Sequence, residues 1–135
     1  MNTAILEMGL FSNSIGDELI HKIKAQVGTN VCKASCSKIR ANPPLFSRLN
    51  LGSTEYYIGD GGATLIAEAL KGNTGITALM LQNNHIGDIG MASLAEALKA
   101  NTNIKEVYLT RNAIGDVGAA SVADALKVNT AGDAF

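Results

Sequence analysis

The sequence predicts an α/β array of short strands alternating with helices, and three observations carry that prediction. First, "IGDIGMASLAEALKANT" from Ile86 has counterparts in "IGDGGATLIAEALKGNT" from Ile58 and "IGDVGAASVADALKVNT" from Ile114. The three begin 28 residues apart, and residues 58–85 match 86–113 at 14 of those 28 positions. A tandem repeat of this period stacks unit on unit instead of closing one core. Second, apolar residues alternate in "ITALMLQNNHI" as Leu79-x-Leu81, the period of a short strand. Third, Met91, Leu94, Ala95 and Leu98 fall at helical spacing in "GMASLAEALKAN". Each unit therefore reads as strand, turn and helix.

Within a unit, Asp88 is expected to cap its own helix at the N-terminus and Asn101 to stop it. Glu96 and Lys99, one turn apart, form a solvated pair. Asp60, Glu68–Lys71, Asp116 and Asp124–Lys127 hold the same places in the neighbouring units.

The register extends to the N-terminus. "NTAILEMGLFSNSIGD" aligns without a gap on "NTGITALMLQNNHIGD", setting Ile5, Met8, Leu10, Asn13 and Ile15 on Ile76, Leu79, Leu81, Asn84 and Ile86. The same offset sets Ile20, Ile23, Val27 and Asn30 on Met91, Leu94, Leu98 and Asn101. From Ile15 to Ile58 the chain runs 43 residues, 15 beyond the period. Twelve of these are the insert at 31–42, "VCKASCSKIRAN", read as one or two added amphipathic turns on the outer surface. On a helix Cys32, Cys36 and Ile39 share one face while Lys33, Ser37, Lys38 and Arg40 meet water. Pro43 and Pro44 mark a loop. The strand "LNL" (residues 49–51) follows, and "GSTEYY" offers no asparagine at the place of Asn84. Residues 1–135 thus form a single domain of about four strand–helix units.

Ile76-x-x-Leu79-x-Leu81-x-x-Asn84-x-Ile86 and Ile104-x-x-Val107-x-Leu109-x-x-Asn112-x-Ile114 resemble the leucine-rich repeat. The 28-residue period and "GAxxLAEALKxN" helices look like its ribonuclease-inhibitor-like subclass. The resemblance implies a right-handed solenoid, a horseshoe segment with parallel strands on the concave face and α-helices on the convex face. It implies an asparagine ladder of Asn13, Asn84 and Asn112 bonded inward to backbone groups. It also implies close helix packing at Ala67, Ala95 and Ala123.

Composition and motifs narrow the chemistry. With 47% hydrophobic and 17% charged residues the chain has the makings of a core. It carries no apolar run of membrane-spanning length and no basic region ahead of an apolar signal stretch. Cys32 and Cys36, four apart, fit neither a disulfide framework nor a C-x-x-C site, which points to the reducing cytoplasm. A zinc site from Cys32, Cys36 and His21 would need a fourth ligand, and a Cys–His nucleophile has no better support, so no metal, no cofactor and no catalytic residue is expected. "IGDxG" recurs in every unit, which marks turn chemistry and not a phosphate loop.

Charge is unevenly spread. Between Glu18 and Glu55 lie six basic residues, Lys22, Lys24, Lys33, Lys38, Arg40 and Arg48, and no acidic one. The patch of Lys22, Lys24, Lys33, Lys38 and Arg40 would steer an acidic protein, a phosphorylated ligand or nucleic acid. Without interleaved aromatics to stack bases, nucleic acid is disfavoured.

A scaffold that repeats leaves its function to the positions that vary. With Leu79 and Leu81 turned to the core, Ala78, Met80 and Gln82 turn to the open strand face. So do Glu7, Gly9 and Phe11, then Arg48, Asn50 and Gly52, then Glu106, Tyr108 and Thr110. Phe11, Met80 and Tyr108 are the expected apolar anchors of a protein partner. Arg48, Asn50, Gln82, Glu106, Thr110 and Arg111 supply polar contacts. The reading is a non-catalytic protein-interaction module. The alternatives rest on family resemblance alone: a regulator of a GTPase, since the Ran GTPase-activating protein carries similar repeats, or part of an innate-immune-type receptor array. Apolar strands and helices at both ends of the stack lead to the expectation of a longer array or of end-to-end self-association.

Overall fold

The structure, a computed structural model, describes residues 17–43 and 47–128. The elements are α1 (Asp17–Ala41), β1 (Arg48–Asn50), α2 (Gly59–Leu70), β2 (Ala78–Met80), α3 (Asp88–Ala100), β3 (Glu106–Tyr108) and α4 (Asp116–Val128). The strands form one parallel sheet in the order β1-β2-β3, with Leu49, Leu79 and Val107 in register. Parallel neighbours require a crossover, and a helix supplies it each time. The helices pack side by side in chain order, α1 on α2, α2 on α3 and α3 on α4. This is an α/β architecture in which short parallel strands alternate with helices.

The core lies between the sheet and the helix row. Leu49, Leu51, Ile76, Leu79, Leu81, Ile86 and Ile104 come from strands and their flanks, and Ile66, Leu70, Leu94 and Leu98 from helices, all nearly or fully buried. Each buried Leu or Ile of this kind contributes roughly 1.5–3 kcal/mol of transfer free energy. Alanines let the helices approach: Ala67 and Ala95 are buried, whereas Ala123 of α4, with no further described helix beside it, is exposed.

Two rows of asparagine side chains tie the units together. In the first, Asn84 Nδ2 donates to the carbonyls of Leu51 (2.9 Å) and Gln82 (3.1 Å), and its Oδ1 accepts from Ile58 N (3.2 Å). Asn112 Nδ2 donates to Leu81 and Leu109 O, both 2.8 Å, while its Oδ1 accepts from Asn84 N and Ile86 N, both 3.0 Å. The second row sits where the helices end. Asn73 Nδ2 donates to Ile39 O, and Asn101 Nδ2 to Leu70 O and Asn73 O. Each amide oxygen then receives two backbone N–H groups of the turn that follows. Where such a backbone group is buried and has no other partner, as at Ile58 N, loss of the asparagine would cost about 1–3 kcal/mol.

Two expectations are corrected here. Asp88 does not cap its own helix: it is the first residue of α3, and the cap position, Gly87, makes no side-chain cap bond. Its carboxylate reaches forward to the next helix, where Oδ1 accepts from Gly115 N (2.8 Å) and Gly118 N (2.9 Å). Asp60 does the same for α3, accepting from Gly87 N (2.7 Å) and Gly90 N (2.9 Å). The approach is close enough that a Cβ on Gly90 would lie 2.6 Å from Asp60 Oδ1 and 2.9 Å from Asp60 Cα. Capping therefore runs between units, which couples each helix start to its predecessor.

The second correction concerns residues 31–41, which form no separate turns. They continue α1, a single helix of 25 residues and about 37 Å. Cys32, Cys36 and Ile39 are buried on its inner face, and Cys36 Sγ donates to Leu65 O at 3.3 Å. Lys33, Ser37, Lys38 and Arg40 are exposed. Pro43 lies in the irregular segment after the helix; Pro44 falls outside the described residues.

Candidate functional site

The face of the sheet turned from the helices carries Arg48 and Asn50 of β1, Met80 of β2, and Glu106 and Tyr108 of β3. Ala78 departs from its expected place on an open face, since it is 3% exposed. Its register neighbours are Arg48 on one side and Glu106 on the other. Their side chains approach to 3.9 Å, and this spans the strand that carries the small Ala78. Tyr108 Oη donates to Glu106 Oε2 at 2.9 Å, and that hydrogen bond, reinforced by the Glu106 charge, pushes the Tyr108 hydroxyl up from its ordinary pKa. Arg48, Glu106 and Tyr108 are thus one chain of polar contacts along the lower edge of the face. At this exposure the Arg48–Glu106 pair adds little stability.

Beyond the strand ends the face opens into a cleft of about 520 Å³, lined among others by Asn50, Met80, Gln82, Thr110 and Arg111. Met80 is half-buried and Tyr108 is 42% exposed. Asn50 Oδ1 accepts from Gly52 N at 3.1 Å, which holds the cleft's near wall. Arg111 sits in the left-handed region with φ 58°, as does Asn83 one unit earlier at φ 59°. Asparagine accepts that conformation readily, whereas arginine is uncommon there. Ser53, Thr54 and Glu55 also line the cleft, from a segment that sequence spacing did not single out. Phe11 and Asn13, with Glu7 and Gly9, lie outside the described residues.

The basic residues lie on α1 and at its base. Lys22 pairs with Glu18 at 2.8 Å in a fully solvated contact. Lys24 Nζ donates to Thr54 O at 3.0 Å, fastening the helix to the loop that leads to the cleft. Lys33, Lys38 and Arg40 belong to the exposed outer surface.

The two histidines, 64 residues apart in the chain, meet beside α1. His85 stacks on Tyr57 with centroids 4.1 Å apart and planes 8° apart, and His21 lies tilted on Tyr57 at 4.8 Å. Tyr57 Oη donates to His21 O at 3.0 Å. Tyr57 and His85 occupy the same place in consecutive units, a signal legible in the repeat once neighbours are stacked. Cys32 and Cys36 take no part: both are buried free thiols, and burial pushes the Cys32 thiol up to about 12. Among the described residues no three His, Cys, Asp or Glu side chains gather as a metal site. No described helix is long and apolar enough to cross a membrane.

A leucine-rich-repeat family model matches residues 72–95 and 100–123. Among solved structures, the actin-binding site 2 chain of leiomodin-1 is similar with a TM-score of 0.61 at 21% identity, over 77% of each chain. The tropomodulin C-terminal domain of Caenorhabditis elegans is similar with a TM-score of 0.68 at 14% identity, over 77% of this chain and 62% of that one. The chain thus spans under two thirds of the tropomodulin domain. At these identities the likeness is one of fold. No curated protein is significantly similar in sequence.

Proposed function

We propose that the chain is a non-catalytic protein-interaction module that takes its partner on the open strand face. The observation that carries this reading is the half-buried Met80 in the middle of that face, with exposed Tyr108 on one side and Arg111 across the adjoining cleft. An apolar centre with an aromatic and an arginine at its rim is the composition of an interface core. The cleft is open and edged by amides and hydroxyls, which suits a loop or side chains of a protein surface. The finer assignments belong to the same reading: the ribonuclease-inhibitor-like subclass with its 28-residue period, a right-handed horseshoe with the strands concave, and a place in the cytoplasm.

The leiomodin-1 chain is named for an actin-binding site, so actin is the first partner to test. The experiment measures binding of purified actin to the wild type and to Met80→Ala with Tyr108→Ala. Wild-type binding, weakened about tenfold or more in a double variant that still melts cooperatively, is the expected result. Undiminished binding by the variant would move the interface off the strand face, and absence of binding by the wild type would remove actin as the partner.

A further inference from the structure

The helices offer an internal control on the meaning of the charge on α1. On α2, α3 and α4 the outer surface carries an acid and a lysine one turn apart: Glu68–Lys71 at 2.8 Å, Glu96–Lys99 at 2.6 Å and Asp124–Lys127 at 3.0 Å. Each pair cancels its own charge. The asparagine row that ends the helices fixes the equivalent places on α1, because Asn73 Nδ2 donates to Ile39 O as Asn101 Nδ2 donates to Leu70 O. Counted back from those carbonyls, the places of Glu68 and Lys71 are Ser37 and Arg40. At this place on α1 the acid is missing and the cation is kept.

Helical geometry extends the contrast. Lys22, Lys33 and Arg40 are separated by 11 and 7 residues, which at 100° per residue sets all three within about 20° of one line. The line covers five turns, about 27 Å, with Gln26 and Ser37 beside it. All five residues are exposed; Lys22, at the start of the line, pairs with Glu18 at 2.8 Å, whereas Lys33 and Arg40 have no carboxylate partner among the described residues. No acidic residue occurs from Leu19 through Thr54.

We infer that this line on α1 is a second interaction surface, separate from the strand face, and that it takes an acidic polypeptide segment. The stripe, about 27 Å long, matches roughly eight residues of extended chain. A membrane surface fits less well, because most of the apolar side of α1, with Val27, Cys32, Cys36 and Ile39, is buried against the fold, and Leu19 alone among its large apolar side chains is exposed. Nucleic acid fits less well, because the line carries no aromatic ring for a base to stack on. Such contacts act through steering and register and weaken with salt.

The test uses a fluorescent dodecamer of glutamate as probe, with anisotropy read at low and physiological salt. The wild type should bind it, with an affinity that falls as salt rises. Lys33→Glu with Arg40→Glu should weaken binding about tenfold or more, and the gentler Lys33→Gln with Arg40→Gln should weaken it less. Met80→Ala with Tyr108→Ala should leave it unchanged, which separates this surface from the strand-face reading. Equal binding by the charge-reversed variant, or tighter binding of the wild type to duplex DNA or phosphatidylserine vesicles than to the peptide, would overturn the inference.

Discussion

The starts of α2 and α3 are built on one plan and finished differently. At α3, Asp60 of the preceding helix accepts from Gly87 N and Gly90 N. At α2 the corresponding position is taken by a thiol. A Cβ on Gly62 would meet Cys32 Sγ at 2.7 Å, where one on Gly90 meets Asp60 Oδ1 at 2.6 Å. Gly62 N turns instead to Ile58 O at 3.0 Å. The carboxylate joint is polar and charge-assisted, and the thiol joint is apolar and sealed. At the helix starts the regular units are joined by a carboxylate that crosses between them, whereas α1 meets the start of α2 by packing and is tied by side chains elsewhere, through Lys24, Cys36 and Tyr57. The comparison predicts where each joint breaks.

The largest effect belongs to the packed joint. Where α1 crosses the end of the irregular segment, a Cβ on Gly28 would stand 1.9 Å from Tyr57 O and 2.6 Å from Tyr57 C. These are backbone atoms, so a flexible tip cannot swing aside. Gly28→Ala should therefore cost about 3 kcal/mol or more, at the upper end of overpacking penalties. Gly61→Ala on α2, with nothing within 4 Å of the added carbon, is the control and should cost nothing. Urea unfolding of both variants measures this, and a Gly28→Ala protein as stable as its control would show that α1 does not pack where it is described.

The middle effect belongs to the carboxylate joint. Asp60→Ala removes two charge-assisted hydrogen bonds, both to Oδ1, from the start of α3 and should destabilise by about 1–2 kcal/mol. Asp116 holds the same place in α4 but accepts no hydrogen bond among the described residues, so Asp116→Ala should stay within about 0.5 kcal/mol. Equal losses in the two variants would return the aspartates to capping their own helices.

Spacing made some of this legible and left some of it out. Strand centres at Leu79 and Val107, helices over Asp88–Ala100 and Asp116–Val128, and the inward face of Cys32, Cys36 and Ile39 all follow from apolar periodicity, a local property of the chain. The destination of Asp60 and Asp88 does not. An acid at a helix start satisfies the rule for a cap in its own helix, and only the stacking distance shows that the next helix is nearer. The continuity of α1 is not legible in the sequence, because the repeat register places a helix stop at Asn30 and propensity within "TNVCKASC" gives no reason to overrule it. The strand-face positions came from alternation. The burial of Ala78 beneath Arg48 and Glu106 came from the neighbouring strands, which alternation within one strand cannot report.

The smallest effect is absent at neutral pH and appears in alkali. Burial, with a lesser contribution from the nearby Cys36, raises the Cys32 thiol from the ordinary 9.0 to about 12. Below pH 9 the thiol is protonated in both folded and unfolded chains, and stability does not depend on it. Above pH 9 the unfolded chain releases the proton while the folded chain keeps it. The folded state then binds more protons, so stability falls as pH rises from about 9 towards 12. Tyrosines and lysines titrate in the same range, so the quantity to follow is the difference between the wild type and Cys32→Ala. At pH 7 the wild type should be the more stable, because the substitution leaves a small cavity beside Gly62. The gap should narrow steadily from pH 9 to pH 10.5. Parallel curves for the two proteins would mean that Cys32 ionises as freely in the folded chain as in the unfolded one, and the joint between α1 and α2 would then be open to water and not sealed.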